Sequence, residues 1–266
     1  LARKALTLSS RPARAVLSIT ASSRYELFVN GKYLGSGPAR CAPHHQSFDT
    51  LDIAPALQPG ENVVAIRVHH QRETVSYYGG SRAGLLAQLD GAPDTPALRW
   101  QTDASWRVSP DRSWLNAAPR MARFHLDVCD RMDLRRRASG WTGLDFDDRE
   151  WLPARVLQRE IGWPSPQANE RATHLTPPWT SLVARDIPYL KEHATAAGAP
   201  VQVGSIPVLK GADFSGDKWF DAPVIAQIPV RPREGNAIGE GWPVIIPPNA
   251  LRENRILIFD LGEVQN

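Results

Sequence analysis

Cysteine and methionine are scarce in this chain of 266 residues, which contains two of each. Two cysteines, Cys41 and Cys129, define neither a metal site nor a disulfide framework in a chain of this length. Either one disulfide joins them or both are buried free thiols, and free thiols are the simpler interpretation.

Long apolar runs and a strong charge imbalance are also absent. No run approaches the roughly 20 apolar residues of a membrane span, and the net charge of +3 is too small to indicate a nucleic-acid-binding face. We therefore expect neither a membrane nor nucleic acid as a partner. No signal peptide is visible at Leu1, and the sequence leaves the compartment open. Because the chain starts without methionine and stops where a strand leads onward, we expect a fragment of a longer protein.

Proline and tryptophan, by contrast, are abundant, with 23 and 9 residues. Frequent proline and glycine between short apolar runs is typical of a β-sandwich. A hydrophobic content of 42% and a charged content of 22% are those of a globular protein with a core. Long amphipathic helices are not indicated, so we expect an all-β fold.

The stretch 24–35 predicts a β-hairpin around which the sheet is set. Tyr25, Leu27 and Val29 alternate with less apolar neighbours, which is the period of a strand. Asn30-Gly31 follows, and both residues tolerate the positive φ of a type I′ turn. This turn fixes the register of the pair.

Further strands are predicted by short β-branched or alternating runs. In the clearest of them, Val64, Ile66 and Val68 share one face. The predicted strands are 15–21, 48–53, 63–70, 84–89 and 98–101, followed by 224–228, 244–247 and 256–262.

Aspartate-rich turns, each followed by tryptophan, punctuate residues 102–154. We expect Trp106 and Trp151 to plug the ends of the sandwich rather than to form exposed sugar platforms. Asp145, Asp147 and Asp148 form a carboxylate cluster, but in such a turn capping and turn formation are their expected roles.

Motifs in this order resemble one family. Tyr-Glu-Leu-Phe-Val-Asn-Gly-Lys at 25–32, Gly-Pro-Ala-Arg at 37–40 and Leu-Gln-Pro-Gly-Glu-Asn-Val-Val-Ala at 57–65 resemble the N-terminal β-sandwich of bacterial α-L-rhamnosidases, glycoside hydrolase family 78. Thr-Asp-Ala-Ser-Trp-Arg and Phe-Asp-Asp-Arg-Glu-Trp-Leu-Pro-Ala are similar to the galactose-binding-like jelly rolls found there.

The resemblance implies an order of domains. We expect a galactose-binding-like jelly-roll β-sandwich over 1–157, a Pro-rich connector with little regular structure over 158–205, and the start of a second β-sandwich, an incomplete β-rich domain, over 206–266. Within the connector, residues 185–190 resemble the segment that leads from the first sandwich toward the next domain.

The resemblance also implies a function. In the family, acidic residues on a C-terminal helical barrel hydrolyse the glycosidic bond with inversion, and such a barrel is not indicated here. We therefore expect a non-catalytic N-terminal accessory region of an α-L-rhamnosidase-like glycoside hydrolase that acts on rhamnose-containing glycans, with no catalytic residue of its own. The alternative is a free-standing carbohydrate-binding or adhesion module. Carbohydrate or the barrel domain is the expected partner.

Metal and anion sites are only weakly indicated. Adjacent histidines, His44-His45 and His69-His70, point to opposite faces of a strand and rarely chelate one ion. The basic run of Arg131 and 135–137 is most simply a solvated strand edge, with an anion site as the alternative. No loop has a clear calcium-ligand pattern, and we expect neither a metal nor a cofactor.

One loop combines the residue types of a sugar site. Tyr77, Tyr78 and Arg82 pair aromatic faces with a planar hydrogen-bond donor, in a loop at one end of the predicted sandwich. They are the candidate carbohydrate-binding residues. Packing of the tyrosines against a neighbouring domain is the other interpretation and is slightly favoured.

Overall fold

The computed structural model describes residues 1–70, 83–92, 98–115, 132–157, 179 and 181–192, together with the backbone of five strands between 200 and 259. The chain forms two compact units, one of residues 1–118 and 130–188 and one of residues 119–129 and 189–266. The described residues hold strands and three short 3₁₀-helices, Pro43–His45, Ala54–Ala56 and Leu134–Arg136. None of their helices has the length and apolarity needed to cross a membrane.

The first unit is a β-sandwich of two sheets. One sheet has six strands in the order β10-β9-β1-β6-β3-β4, and the other has five in the order β11-β5-β2-β7-β8. The strands are β1 Ala2–Leu8, β2 Ala15–Ser22, β3 Arg24–Val29, β4 Lys32–Gly37, β5 Gln46–Asp52, β6 Gly60–His69, β7 Gly84–Gly91, β8 Arg99–Gln101, β9 Arg107–Val108, β10 Leu152–Pro153 and β11 Leu182–Ala184.

The second unit contains five described strands. The antiparallel three-stranded sheet β13-β12-β16 pairs β12 Pro200–Ile206 with β13 Ala226–Gln227 and β16 Asn254–Phe259. A two-stranded sheet joins β14 Arg231–Pro232 to β15 Val244–Ile245. The all-β prediction is therefore confirmed.

The predicted hairpin joins β3 to β4. Asn30 has φ 51° and Gly31 has φ 81°, the left-handed pair that a type I′ turn requires, and Val29 pairs with Lys32. The Asn30 amide adds a second role, because Nδ2 donates to the Ala56 carbonyl at 3.0 Å and Oδ1 accepts from the Val63 amide at 2.8 Å. The turn therefore also fixes the start of β6.

The core lies between the two sheets, as the alternation predicted. Its largest fully buried side chains come from both sheets and from two connecting segments: Leu17, Ile19, Tyr25, Leu27, Val29, Ile53, Val64, Ile66, Leu89 and Trp106. Burial of each large apolar side chain contributes about 1.5–3 kcal/mol. Trp106 is 1% exposed, which confirms its predicted place in the core.

The outer face of the six-stranded sheet is covered as well, which the sequence reasoning did not anticipate. In β6, Val63 and Ala65 are buried together with Val64 and Ile66, so both faces of this strand exclude water. The cover is residues 140–151, here called the cover segment. Its buried Trp141 meets Phe28 edge-on at 5.7 Å and stacks on Trp151 at 6.3 Å. Trp151 therefore packs on a sheet face rather than at a sandwich end.

The aspartate turns are built as predicted. In each turn the aspartate carbonyl accepts a hydrogen bond from the amide of the tryptophan three residues later. The pairs and their N···O distances are Asp103 with Trp106 at 3.3 Å, Asp111 with Trp114 at 3.3 Å and Asp148 with Trp151 at 2.9 Å. Successive turns therefore supply one tryptophan to the core between the sheets and others to the outside of the six-stranded sheet.

Six strands were not predicted: β1, β9, β10, β11, β12 and β14. β1 pairs with β6 over its whole length and lies inside the six-stranded sheet, although its sequence alternates poorly. β11 lies within 158–205, where we expected little regular structure, and pairs in parallel with β5. That expectation is wrong at 182–184 and at 200–205, where β12 begins. At 182–184 the free edge of β5 provides hydrogen-bond partners that no local pattern reveals. The domain boundaries at 157 and 205 stay predictions.

The turn residues provide a test of the fold. Asn30→Val combined with Gly31→Val should unfold the first unit, because a β-branched residue at positive φ costs roughly 1–3 kcal/mol at each position and a domain holds only about 5–15 kcal/mol. Asn30→Gly alone keeps the allowed φ and removes only the amide contacts, so it should destabilise less. Thermal unfolding of the parent, the double variant and Asn30→Gly measures these effects. An unchanged melting temperature in the double variant would contradict the role of the turn.

Candidate functional site

The sequence-predicted sugar residues Tyr77, Tyr78 and Arg82 lie outside the described residues, so their role stays a prediction. The flanks of their loop are defined: β6 ends at His69 and β7 begins at Gly84, which pairs with Ser22. Both flanks therefore lie at the end of the sandwich where β2 leads into β3.

Histidines lie at this end but do not form a metal centre with described residues. The His69 ring meets Trp114 edge-on at 5.1 Å, and His70 Nδ1 lies 3.3 Å from the Ser22 hydroxyl. Burial lowers the pKa of His70, with a smaller opposing effect of its Ser22 contact. Across the described ranges, no three His, Cys, Asp or Glu side chains group as metal ligands do.

A buried ion pair lies between the sheets near this end. The Asp49 carboxylate on β5 is fully buried and accepts a hydrogen bond from Arg185 Nε at 2.5 Å. The Arg185 side chain is 9% exposed. Tyr25 Oη, from the other sheet, donates to the second carboxylate oxygen. A buried carboxylate is tolerated only when it is paired and hydrogen-bonded in this way.

Gly37 is the residue that allows this cluster to close. Gly37 on β4 pairs with Tyr25, and a Cβ built on it would clash with Asp49 Oδ2 and lie 2.8 Å from Tyr25 Oη. Because both clashing atoms are already held by hydrogen bonds, we expect no larger side chain to fit there. The glycine is required by close approach.

The segment that carries Arg185 is also bonded to β5 through backbone hydrogen bonds. Leu182, Val183 and Ala184 pair in parallel with Gln46, Ser47 and Phe48. The Gln46 amide donates to the Ser181 carbonyl at 3.1 Å, and the Arg185 amide donates to the Phe48 carbonyl at 2.9 Å. Residues 181–188, here called the exit segment, are thus fixed to the first unit by a ladder and an ion pair.

The cysteine near this edge is a free thiol. Cys41 Sγ accepts a hydrogen bond from the Ser47 amide at 3.2 Å, and burial raises the pKa of the thiol. The free-thiol interpretation is therefore confirmed for Cys41, while Cys129 lies outside the described residues. A raised pKa makes Cys41 a poor nucleophile at neutral pH.

A second buried arginine holds the cover segment. Arg3 on β1 is 3% exposed and donates to the Asp148 carboxylate at 2.9 Å and to the Gly143 carbonyl at 3.1 Å. Its guanidinium also donates to the Trp141 carbonyl and lies 5.1 Å from the Phe146 ring centroid. Asp148 is thus a structural partner, in line with the turn role predicted for its cluster.

Two exposed carboxylates, Asp103 and Asp147, are held ionised, unlike a general acid. Hydrogen bonds from the Arg149 side chain, and then from its backbone amide, lower the pKa of Asp147 to about 2. Side-chain and backbone hydrogen bonds from Ser105 lower the pKa of Asp103. A general acid in glycoside hydrolysis needs a raised pKa, so neither side chain suits that task.

The basic run has a different structure from the one expected. Arg135 and Arg136 lie in the 3₁₀-helix Leu134–Arg136 rather than on a strand edge, because Asp133 caps this turn by accepting from the Arg135 amide. The Arg135 side chain is 90% exposed and pairs with Asp133. The solvated interpretation is thus confirmed for Arg135, and Arg131 lies outside the described residues.

Comparisons with known proteins match this sandwich to one family. The family model described as the α-L-rhamnosidase N-terminal domain matches residues 10–176. The chain belongs to this family. An α-L-rhamnosidase of Streptomyces avermitilis is 28% identical over 161 residues, which are 56% of this chain and 15% of that protein.

Solved structures agree. The crystal structure of the glycoside hydrolase family 78 rhamnosidase of Bacillus sp. GL1 matches with a TM-score of 0.62 and 35% identity, over 77% of this chain and 20% of that one. The α-L-rhamnosidase of Dictyoglumus thermophilum shares the fold, with a TM-score of 0.54 and 20% identity over 77% of this chain and 20% of that one. This chain thus spans about 15–20% of the length of these relatives.

Sequence reasoning missed both partners of the buried ion pair. Asp49 and Arg185 are 136 residues apart, and neither lies in a motif with a chemical signature. One signal was present: residues 185–190 were recognised as resembling the family segment that leaves the first sandwich. An arginine at the start of such a segment could have prompted a search for a buried carboxylate.

The ion pair can be tested by a double-mutant cycle. Arg185→Met should destabilise the first unit by about 3–5 kcal/mol, because it leaves Asp49 buried without its partner. Asp49→Asn combined with Arg185→Met should recover part of this loss, since no charge is then buried alone. Urea unfolding of the parent, Arg185→Met, Asp49→Asn and the double variant gives the coupling free energy.

An exposed ion pair on the same chain is the matched control. Arg149 pairs with Asp147, with an Arg149 side chain that is 86% exposed. Arg149→Met removes an exposed guanidinium of the same size, so the free energy of unfolding should stay within error of the parent's. Equal effects of Arg149→Met and Arg185→Met would show that burial of the Asp49 pair is not what matters.

Proposed function

We propose that this chain is a non-catalytic N-terminal accessory region of an α-L-rhamnosidase-like glycoside hydrolase that acts on rhamnose-containing glycans. The observation that carries the proposal is the use of its carboxylates. Asp49 and Asp148 are occupied by Arg185 and Arg3, and Asp52 accepts from the backbone amides of Ala15 and Ala54. They hold the fold instead of facing a substrate.

Inverting hydrolysis sets a geometric requirement that supports the same proposal. It needs a carboxylic acid with a raised pKa and a second carboxylate roughly 6.5–9.5 Å away, with a water between them and the sugar. The described aspartates with shifted pKa values, such as Asp147, are shifted downward. The acid and base are therefore expected in sequence beyond this chain.

The proposed partner is the catalytic helical barrel of the parent protein. A rigid sandwich whose final strand is fixed by a buried ion pair is suited to hold a following domain in a defined place. Because this chain spans only 15–20% of the length of its relatives, most of each relative is available for such a domain. Carbohydrate remains a second proposed partner, through the loop that carries Tyr77.

The alternative is a free-standing carbohydrate-binding or adhesion module. The loop that holds Tyr77, Tyr78 and Arg82 favours it, because loops on a rigid sandwich commonly bind ligands. The parent open reading frame separates the two proposals. Several hundred helix-rich residues after Asn266 support the accessory region, and a stop codon close to Asn266 supports the free-standing module.

The purified chain should not cleave aryl α-L-rhamnosides. The physical reason is that Asp49, Asp52 and Asp148 are bonded within the fold, and that hydrogen bonds hold the pKa values of Asp103 and Asp147 below their usual range. Release of chromophore at substrate concentrations up to the millimolar range should equal that of an inactive protein. Activity that survives repurification and is lost in Asp145→Asn, a change at an exposed carboxylate, would contradict the proposal.

The Tyr77 loop separates sugar binding from domain packing. If it binds sugar, Tyr77→Ala, Tyr78→Ala and Arg82→Ala should each weaken glycan binding while the melting temperature stays nearly constant. If it packs against a neighbouring domain, the tyrosine changes should lower the melting temperature, because each buried ring removes substantial apolar area from water. We expect the second outcome.

The measurements are calorimetric titration with rhamnose, galactose and a plant glycan panel, and thermal unfolding of the same variants. Tyr33→Ala is the matched control, because Tyr33 is a half-exposed tyrosine on β4 that contacts Phe28. Saturable binding that is lost in the loop variants but kept in Tyr33→Ala would show the packing interpretation to be wrong.

A further inference from the structure

The exit segment pairs with a single strand of the sandwich. Among the described strands, β11 lies at the edge of its sheet and pairs only with β5. All other pairs in the two sheets of the sandwich are antiparallel, so β11 is also the only parallel strand described there. Its place in the sheet is therefore not set by a hairpin turn, and the edge of β5 itself must recognise it.

The backbone contacts of this edge recognise an extended chain and its direction. Besides the parallel ladder, the Gln46 amide donates to the Ser181 carbonyl and the Arg185 amide donates to the Phe48 carbonyl, at 3.1 and 2.9 Å. The Ser181 hydroxyl donates to the His44 carbonyl at 2.7 Å. Added strands in peptide-recognition domains are bound in the same way, with main-chain bonds for affinity and pockets for specificity.

The pocket for specificity is the buried Asp49 carboxylate. Asp49 directly follows Phe48, the last β5 residue that pairs with β11, and is fully buried. One of its oxygens accepts a hydrogen bond from Arg185 Nε at 2.5 Å, and the other accepts one from the Tyr25 hydroxyl. Arg185 also donates from Nη1 to the Pro188 carbonyl at 3.2 Å, which closes the segment on itself. The edge therefore selects a strand that carries an arginine four residues after its first paired carbonyl.

We propose that the edge of β5, together with the buried Asp49 carboxylate, is a strand-acceptor site, and that residues 181–188 bind to it as a separable ligand. The ladder and the ion pair, rather than the covalent connection through residues 158–178, keep the segment in place. The site excludes an extended segment without the guanidinium, because that segment would leave Asp49 buried and unpaired.

The test uses the full chain with two engineered cleavage sites. Protease recognition sequences replace residues 167–173 and 193–199, so that complete cleavage on a denaturing gel frees the exit segment from both covalent neighbours. After cleavage, size exclusion and native mass spectrometry should find the segment still bound to the sandwich. Arg185→Met in the same chain should release it at least tenfold faster, while Arg149→Met should match the parent.

A competition experiment keeps the proposal testable if Arg185→Met fails to fold. A synthetic peptide of residues 180–189, added in excess to the cleaved parent, should replace the resident segment, whereas the same peptide with Arg185→Met should not. Loss of the segment as soon as both cuts are complete would overturn the proposal. Equal retention in Arg185→Met, or equal replacement by both peptides, would overturn it as well.

Discussion

The buried pair of Asp49 and Arg185 is the interaction on which the first unit depends. A carboxylate between two apolar sheets would be strongly unfavourable alone, and it is compensated by Arg185 at 2.5 Å and by the Tyr25 hydroxyl. These partners come from the exit segment and from the opposite sheet. The two sheets and the exit segment are therefore joined through the Asp49 side chain. Gly37 leaves room for this carboxylate because it has no Cβ.

A similar arrangement holds the outer face of the six-stranded sheet. Arg3 reaches from β1 to Asp148 and to the carbonyls of Gly143 and Phe146, so a segment that follows the last core strands is fixed across the sheet. The Gly31 amide of the hairpin turn also donates to the Thr142 carbonyl at 2.8 Å. In both places an ion pair of an arginine with an aspartate joins a late segment to an early strand, and the planar, five-donor side chain of arginine also donates to nearby backbone carbonyls.

These contacts give several of the described carboxylates of this rhamnosidase N-terminal domain a structural role. The buried carboxylates are needed where sequence-distant segments join, and the surface carboxylates organise turns before tryptophans. The accessory role that we propose requires this kind of rigidity more than it requires chemistry. The exit segment is bonded to β5 up to Arg185, three residues before the first unit ends at Pro188.

The sequence by itself determined the local elements: the Asn30-Gly31 turn, the alternating strands, the aspartate turns before Trp106 and Trp151, and the family. Each depends on neighbours in the chain, because φ preferences, side-chain alternation and Asx turns act over a few residues. Only the tertiary structure decided that β1 and β11 are strands and that Asp49 binds Arg185. Those contacts join residues 52 to 136 positions apart, and their energy comes from burial, which no local pattern records.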